Sequence, residues 1–127
     1  MKRIIFGFII TVLIASFFTT FGFAQNNLGK INQSLKSGDA SNLAQYFNHS
    51  LEITILDDEN TFNKTVATQK VKSFFASHKP NSFVIKHQGT APNGSKYVIG
   101  ALTTSKGTFR TYFVIANGLI QELAFED

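Results

Sequence analysis

The sequence predicts an α+β domain in which N-terminal helices pack on one face of a curved antiparallel sheet. Two patterns support this class. In the first part of the chain apolar residues recur at intervals of three and four, which is typical of amphipathic helices. From Ser82 onward apolar and polar residues alternate, as in strands with one buried face. The predicted order of elements is α-α-β(β)-α-β-β-β-β.

Three helices are expected before the strand-rich part. Gly38 ends the first helix as the residue after its C-cap, and Asp39 caps a second short helix whose apolar face includes Phe47. Asn63 caps the third and longest helix, and Pro80 stops it. Each helix has one apolar stripe, so each must bury that stripe against the sheet.

The predicted strands begin between the second and third helices. Residues 51–55 alternate as a strand, residues 57–60 form a turn, and Phe62 lies on a short returning strand. Asn117-Gly118 is a strong signal for a two-residue hairpin turn. The remaining strands form a meander, and they are expected at residues 83–88, 96–104, 108–116 and 119–126.

The N-terminal segment has the features of an export signal. Lys2 and Arg3 form a short positive head, an apolar stretch follows, and Gly22 and Ala24 place small side chains at the −3 and −1 positions that signal peptidase requires. The alternative is a retained anchor, because the apolar stretch is nearly long enough to span a bilayer. The small-residue exit and the lack of a basic stop favour cleavage.

Cleavage would divide the chain into a signal peptide, residues 1–24, and one domain, residues 25–127, located in the periplasm or secreted. Loss of the two basic signal residues lowers the formal net charge from +4 to +2. The domain then has Arg110 as its one arginine and scattered lysines, which is not the clustered basic footprint of a nucleic-acid binder. No membrane contact is expected after cleavage.

Cysteine is absent, which excludes disulfides and cysteine-based catalysis or metal binding. The three histidines show no helical pair at the spacing of a zinc site. We therefore predict neither a metal site nor a cofactor.

Several segments carry a family resemblance: Lys86-His87-Gln88-Gly89, the run from Gly94 to Gly100, the run from Leu102 to Ser105, and the run from Gly107 to Phe113. In the residues of these segments and in its order of elements, the chain resembles exported bacterial proteins classed as a domain of unknown function. They have the cone-shaped fold of nuclear transport factor two, ketosteroid isomerase and the SnoaL-like or cystatin-like proteins. The resemblance implies a fold and a compartment, and no activity.

A ligand pocket inside the cone is the first functional hypothesis. Alternation places His87 on the same face as Phe83 and Ile85, so we expect its imidazole to point into the cone. Tyr97 and Phe74 complete the predicted pocket. In ketosteroid-isomerase-like proteins the mouth of the cone holds an acid/base carboxylate and hydrogen-bond donors.

The carboxylates argue against such chemistry here, because most of them fall in turns, at solvent-facing strand positions or at the C-terminus. Glu122 is the exception, with a facing that alternation leaves undecided. We therefore expect a non-catalytic module that binds a small ligand or an envelope protein. The alternative is a small hydrolase or isomerase that uses His87 with Tyr97 or Glu122 in the cone pocket.

Arg110 and Tyr112 are predicted interface residues. The second and third strands of the meander are partly apolar on both faces, which means that their outer face is also covered. In the resembling fold this commonly implies a homodimer that packs through the sheets.

Overall fold

The computed structural model describes residues 27–127, so the predicted signal, residues 1–24, lies outside the described part. Among residues 27–127, no helix is long and apolar enough to cross a membrane. Helix α1 covers residues 27–37 of this part. The elements that follow are α2 (Ala40–Ala44), β1 (Phe47–Ile55), β2 (Asp58–Asn63), α3 (Lys64–Ser77), β3 (Pro80–Thr90), β4 (Lys96–Thr104), β5 (Gly107–Ala116) and β6 (Leu119–Glu126).

The predicted helix boundaries at Gly38, Asp39 and Asn63 are confirmed. Gly38 has φ of 68°, its amide donates to the Leu35 carbonyl, and the Asp39 amide donates to the Ser34 carbonyl. This is the Schellman arrangement that glycine makes possible. The Asp39 carboxylate accepts from the Asn42 amide at 3.0 Å, and Asn63 Oδ1 accepts from the Val66 amide at 2.9 Å.

Six strands form one curved, unclosed sheet in the order β2-β1-β6-β5-β4-β3. The predicted meander from β3 to β6 is confirmed, and Asn117 and Gly118 both have positive φ in the β5–β6 turn. Strand β1 pairs with β2 antiparallel and with β6 parallel. Because of the parallel pair, the first hairpin joins the meander beside its last strand, and β2 and β3 form the two edges.

The core lies between the helices and one face of the sheet, which confirms the predicted α+β class. Strand residues such as Phe47, Phe113 and Phe125 are at most 2% exposed. Phe74 of α3 stacks on Phe125 with ring centroids 4.6 Å apart and meets Phe109 edge to face at 5.5 Å. Aromatic side chains thus fill the space beneath α3.

Three elements differ in extent from the prediction, and β3 is longer at both ends, Pro80–Thr90 rather than residues 83–88. Helix α2 ends at Ala44, and Phe47 begins β1, where it pairs with Ile120 and is buried. The Ile120 amide donates to the Tyr46 carbonyl, so pairing with β6 draws this segment out of the helix. Glu59, predicted within a turn, lies on β2, because the β1–β2 turn is tighter than expected and leaves Ile55 paired with Asp58.

Candidate functional site

Five of the predicted site and interface residues lie on the face of the sheet opposite the helices, which we call the outer face: His87, Tyr97, Arg110, Tyr112 and Glu122. Directly paired residues of neighbouring strands project to the same face, so the registers define its members. The outer face includes Glu52, Thr54, Glu59, Thr61, Val84, His87, Tyr97, Ile99, Ala101, Arg110, Tyr112, Val114, Glu122, Ala124 and Glu126.

The expectation that His87 points into the cone is wrong. Ile85 pairs with Gly100, but His87 pairs with Ile99, so the register shifts and leaves Lys86 unpaired. A bulge of this kind adds one residue to a strand and reverses the alternation after it. His87 therefore lies on the outer face with Ile99 and is exposed.

The four predicted pocket residues are divided between the two sides of the sheet. Phe74 is buried in the core at 4% exposure, and Phe83 is half-buried on the inner face, 6.4 Å from Phe113 between ring centroids. Tyr97 and His87 are on the outer face. The structure does not bring these four side chains into one cavity, because the sheet separates them.

Tyr97 and His87 contact each other at the end of the β3–β4 hairpin. His87 Nε2 and the Tyr97 hydroxyl are 3.3 Å apart, and the ring centroids are 5.6 Å apart. The phenol ring crosses Gly89, where no Cβ obstructs it. This contact is open to solvent.

Tyr112 is a half-buried phenol on the outer face. Burial raises the pKa of the Tyr112 hydroxyl, and the Glu122 carboxylate raises it further, whereas Arg110 opposes the change. Arg110 Nη1 lies 3.5 Å from Glu126 Oε1 across the β5–β6 pair, with both side chains about half exposed. The facing of Glu122, undecided in the sequence, is settled by its pairing with Val114 on the outer face.

Two further carboxylates lie on the outer face: Glu52, which the sequence placed at a solvent-facing strand position, and Glu59, which it placed in a turn. The pKa of the Glu59 carboxyl is raised, first because it shares a hydrogen bond with Glu52 and also because the two charges repel. Glu52 in turn pairs with Glu122 in the parallel register. Glu52 and Glu59 meet through the β1–β2 hairpin, whereas Glu122 joins them through the parallel pairing, which no local pattern indicates.

Other parts of the described chain have fewer features of a functional site. Within residues 27–127, no three His, Asp or Glu side chains cluster so that they could hold a metal ion. An open groove between the α1–α2 turn and α3 is lined by Gly38, Asp39 and Lys72 among others, and it contains none of the predicted site residues.

Solved structures share this fold. A DUF4783 family protein from Bacteroides uniformis is 25% identical, with a TM-score of 0.72 and coverage of 78% of this chain and 94% of that protein. A DUF4783 family protein from Bacteroides ovatus is 24% identical with the same TM-score, covering 77% and 92%. A putative polyketide cyclase from Sinorhizobium meliloti is 10% identical with a TM-score of 0.61, covering 79% and 93%.

The most distant of these similarities concern the fold alone. They extend to an NTF2-like protein of unknown function from Cytophaga hutchinsonii, which is 10% identical with a TM-score of 0.58, covering 80% of this chain and 86% of that protein. No curated protein matches the chain significantly. The family described as a domain of unknown function, DUF4783, matches residues 28–126. The chain therefore belongs to the DUF4783 family and has the NTF2-like, cystatin-like fold.

Proposed function

We propose that this chain is an exported, non-catalytic binding module whose binding surface is the outer face of its sheet. The observation that carries the proposal is the composition of that face. Its centre holds Tyr97, Ile99, Tyr112 and Val114, all half-buried. Aromatic centres of this kind with charged margins are typical of protein interfaces.

The exposure of Val84 supports the same surface. Val84 is 51% exposed on β3, and no other large apolar side chain among the described residues is exposed to that extent. It pairs with Ala101, which continues the apolar centre toward the sheet edge. A broad, open face of this shape suits a protein partner better than a small ligand, since small ligands bind in concave sites.

The arrangement of polar groups supports binding without catalysis. The alternative, acid/base chemistry in the cone pocket, requires His87, Tyr97 or Glu122 inside the cone, and all three project from its opposite side. On the outer face they have no enclosure that would exclude water or orient a substrate. Export rests on the positive head, apolar stretch and small-residue exit of residues 1–24.

Photocrosslinking in the native host tests this function. A photoreactive phenylalanine analogue replaces Ile99 on the outer face, and a matched variant carries it at Gln69, an exposed position on α3. We expect protein adducts from position 99 and few from position 69, with the chain in the exported fraction. Equal labelling from both positions, or none from position 99, would contradict the proposal.

A further inference from the structure

The loop between β3 and β4, residues 91–95, presents an asparagine followed by a glycine at the surface. The Ala91 amide donates to the Ser95 carbonyl at 2.8 Å, and the Gly94 amide donates to the Ala91 carbonyl at 2.9 Å, so the loop is a compact turn. Asn93 and Gly94 are both exposed. The asparagine side chain and the glycine backbone are therefore accessible to water.

The Asn93 side chain curls back over the Gly94 peptide. Its Oδ1 accepts from the Ser95 amide at 3.0 Å and from the Ser95 hydroxyl at 2.6 Å. Acceptance from the amide two residues later forms an Asx turn, which mimics a backbone turn and brings the side-chain carbonyl carbon toward the intervening nitrogen. A backbone amide donates and does not accept, so the Ser95 amide identifies the atom that it meets as the oxygen.

We propose that Asn93 is a site of succinimide formation and deamidation, at which Ser95 stabilises the reacting amide. The Gly94 nitrogen gives up its proton to solvent and attacks Cγ of Asn93, while the carbonyl electron pair moves to Oδ1. The bond from Cγ to Nδ2 then breaks, and Nδ2 takes a proton from solvent and leaves as ammonia. Water opens the resulting five-membered ring at either carbonyl, which gives isoaspartate or aspartate.

Ser95 donates to the oxygen on which negative charge develops. Donors already aimed at such an oxygen stabilise the transition state more than the ground state. Both the amide and the hydroxyl of Ser95 are in place before the attack. Gly94 leaves room for the ring, since a Cβ at this position would meet no other atom within 4 Å.

The hydrogen bond from Gly94 to Ala91 opposes the reaction, because it must open before the nitrogen can attack. A typical hydrogen bond within a protein shifts an equilibrium by no more than about tenfold. This one lies in an exposed turn, so its opening slows the attack without preventing it.

Asn117-Gly118 provides an internal comparison, because it has the same two residue types in a tighter setting. It is the two-residue turn between the directly paired Ala116 and Leu119. Asn117 and Gly118 have φ of 54° and 76°, as this kind of turn requires. Movement of Asn117 onto the glycine nitrogen disturbs the end of the β5–β6 ladder, whereas movement of Asn93 is confined to the loop. We therefore expect Asn93 to react first.

Deamidation would place a carboxylate on a hairpin that has none. Strands β3 and β4 contain Lys86 and Lys96 but no Asp or Glu. The isoaspartate product also adds one carbon to the backbone of the loop. This loop joins the strands at the end where Tyr97 contacts His87, so the change alters charge and shape beside the outer face. The inference does not depend on the proposed function.

Peptide mapping by mass spectrometry of the purified full-length chain, aged at mildly alkaline pH, tests the site. It measures conversion at both Asn-Gly pairs in the same molecules, and isoaspartyl methyltransferase identifies the isoaspartate product. Loops open more readily than paired strands, so Asn93 should convert at least about tenfold faster than Asn117. In denaturant the two rates should become similar. Asn93→Gln should abolish the isoaspartate signal from this loop, because glutamine does not readily form the five-membered ring.

Ser95→Ala tests the role of the hydroxyl and retains the amide donor. Conversion of Asn93 should slow by about threefold to tenfold, which is less than the loss of a buried enzyme donor causes, because water reaches this site. Conversion of Asn117 in the same variant should not change, and it serves as the control for pH and temperature.

Three results would overturn the inference. One is conversion of Asn117 at least as fast as that of Asn93 in the folded protein, and another is the same ratio of rates in the folded and denatured chains. The third is faster conversion of Asn93 in Ser95→Ala, which would show that the two hydrogen bonds restrain the side chain rather than stabilise the developing charge.

Discussion

Replacing Gly100 by alanine tests whether Phe83 packs on the inner face of β4. Gly100 pairs with Ile85 and Thr111 at a buried position. A Cβ added there would lie 2.6 Å from Phe83 Cζ and 2.6 Å from the Val84 carbonyl oxygen. The first obstacle is a ring packed toward the core, and the second is backbone in the neighbouring strand. The carbonyl oxygen cannot move without displacing β3.

Overpacking of this kind typically costs about 1–3 kcal/mol. In a domain of roughly 100 residues, 1 kcal/mol of destabilisation lowers Tm by about 4–8 °C. With a central cost of about 2 kcal/mol, Gly100→Ala should lower Tm by about 8–16 °C. Thermal unfolding followed by circular dichroism measures the change.

Gly89→Ala is the matched control, in the adjacent strand and also against an aromatic ring. Its Cβ would lie 2.6 Å from Tyr97 Cζ, but that ring is the free end of a flexible side chain on the outer face. Tyr97 can turn away and lose its contact with His87, so stability should change by only about 0.5 kcal/mol. Equal Tm values for the two alanine variants would refute the assignment of Phe83 and Tyr97 to opposite faces.

Three further outcomes follow from the caps and the outer-face carboxyls. Asn63→Ala should destabilise the fold by about 1 kcal/mol in chemical denaturation, because the Val66 amide loses its acceptor; an unchanged midpoint would contradict the capping role. The pKa of Glu59 is raised in the folded state, so the stability linked to it is complete below the ordinary glutamate pKa of about 4.3 and is lost as pH rises through the raised value. Glu59→Gln should remove that loss, so the Tm of the variant minus the Tm of the wild type should increase between pH 4 and pH 7. A constant difference would count against the hydrogen bond between the two carboxyl groups. Tyr112 should ionise above the ordinary tyrosine pKa, and Glu122→Gln should lower its midpoint in an ultraviolet titration, since one of the causes of the increase is removed.

Local patterns predicted the elements well where the cause of each boundary is local. Gly38 terminates α1 because its positive φ is accessible to glycine, and Asn63 begins α3 because its side chain satisfies an amide three residues later. The Asn117-Gly118 turn likewise depends on the backbone preferences of its own two residues. These features need no partner from elsewhere in the chain.

The candidate site was predicted less well because its geometry depends on strand pairing. Simple alternation from Phe83 and Ile85 predicted that His87 points inward. The extra residue at Lys86 reverses the facing, and the bulge is defined only against β4. Phe47 shows the same effect, since a spacing of four from Leu43 favoured a helix until pairing with β6 placed it in a strand.

The amino-acid sequence by itself determined the helix caps, the meander and the α+β class, because short-range backbone preferences and hydrophobic periodicity act within a few residues. It also contains no Asp or Glu between Glu59 and Glu122, but this interval does not show which residues lie together in space. Only the parallel pairing of β1 with β6 groups the acidic strands on one side of the sheet. Strand order is decided by long-range hydrogen bonding and burial, and so the grouping of the acidic strands β2, β1 and β6 belongs to the tertiary structure.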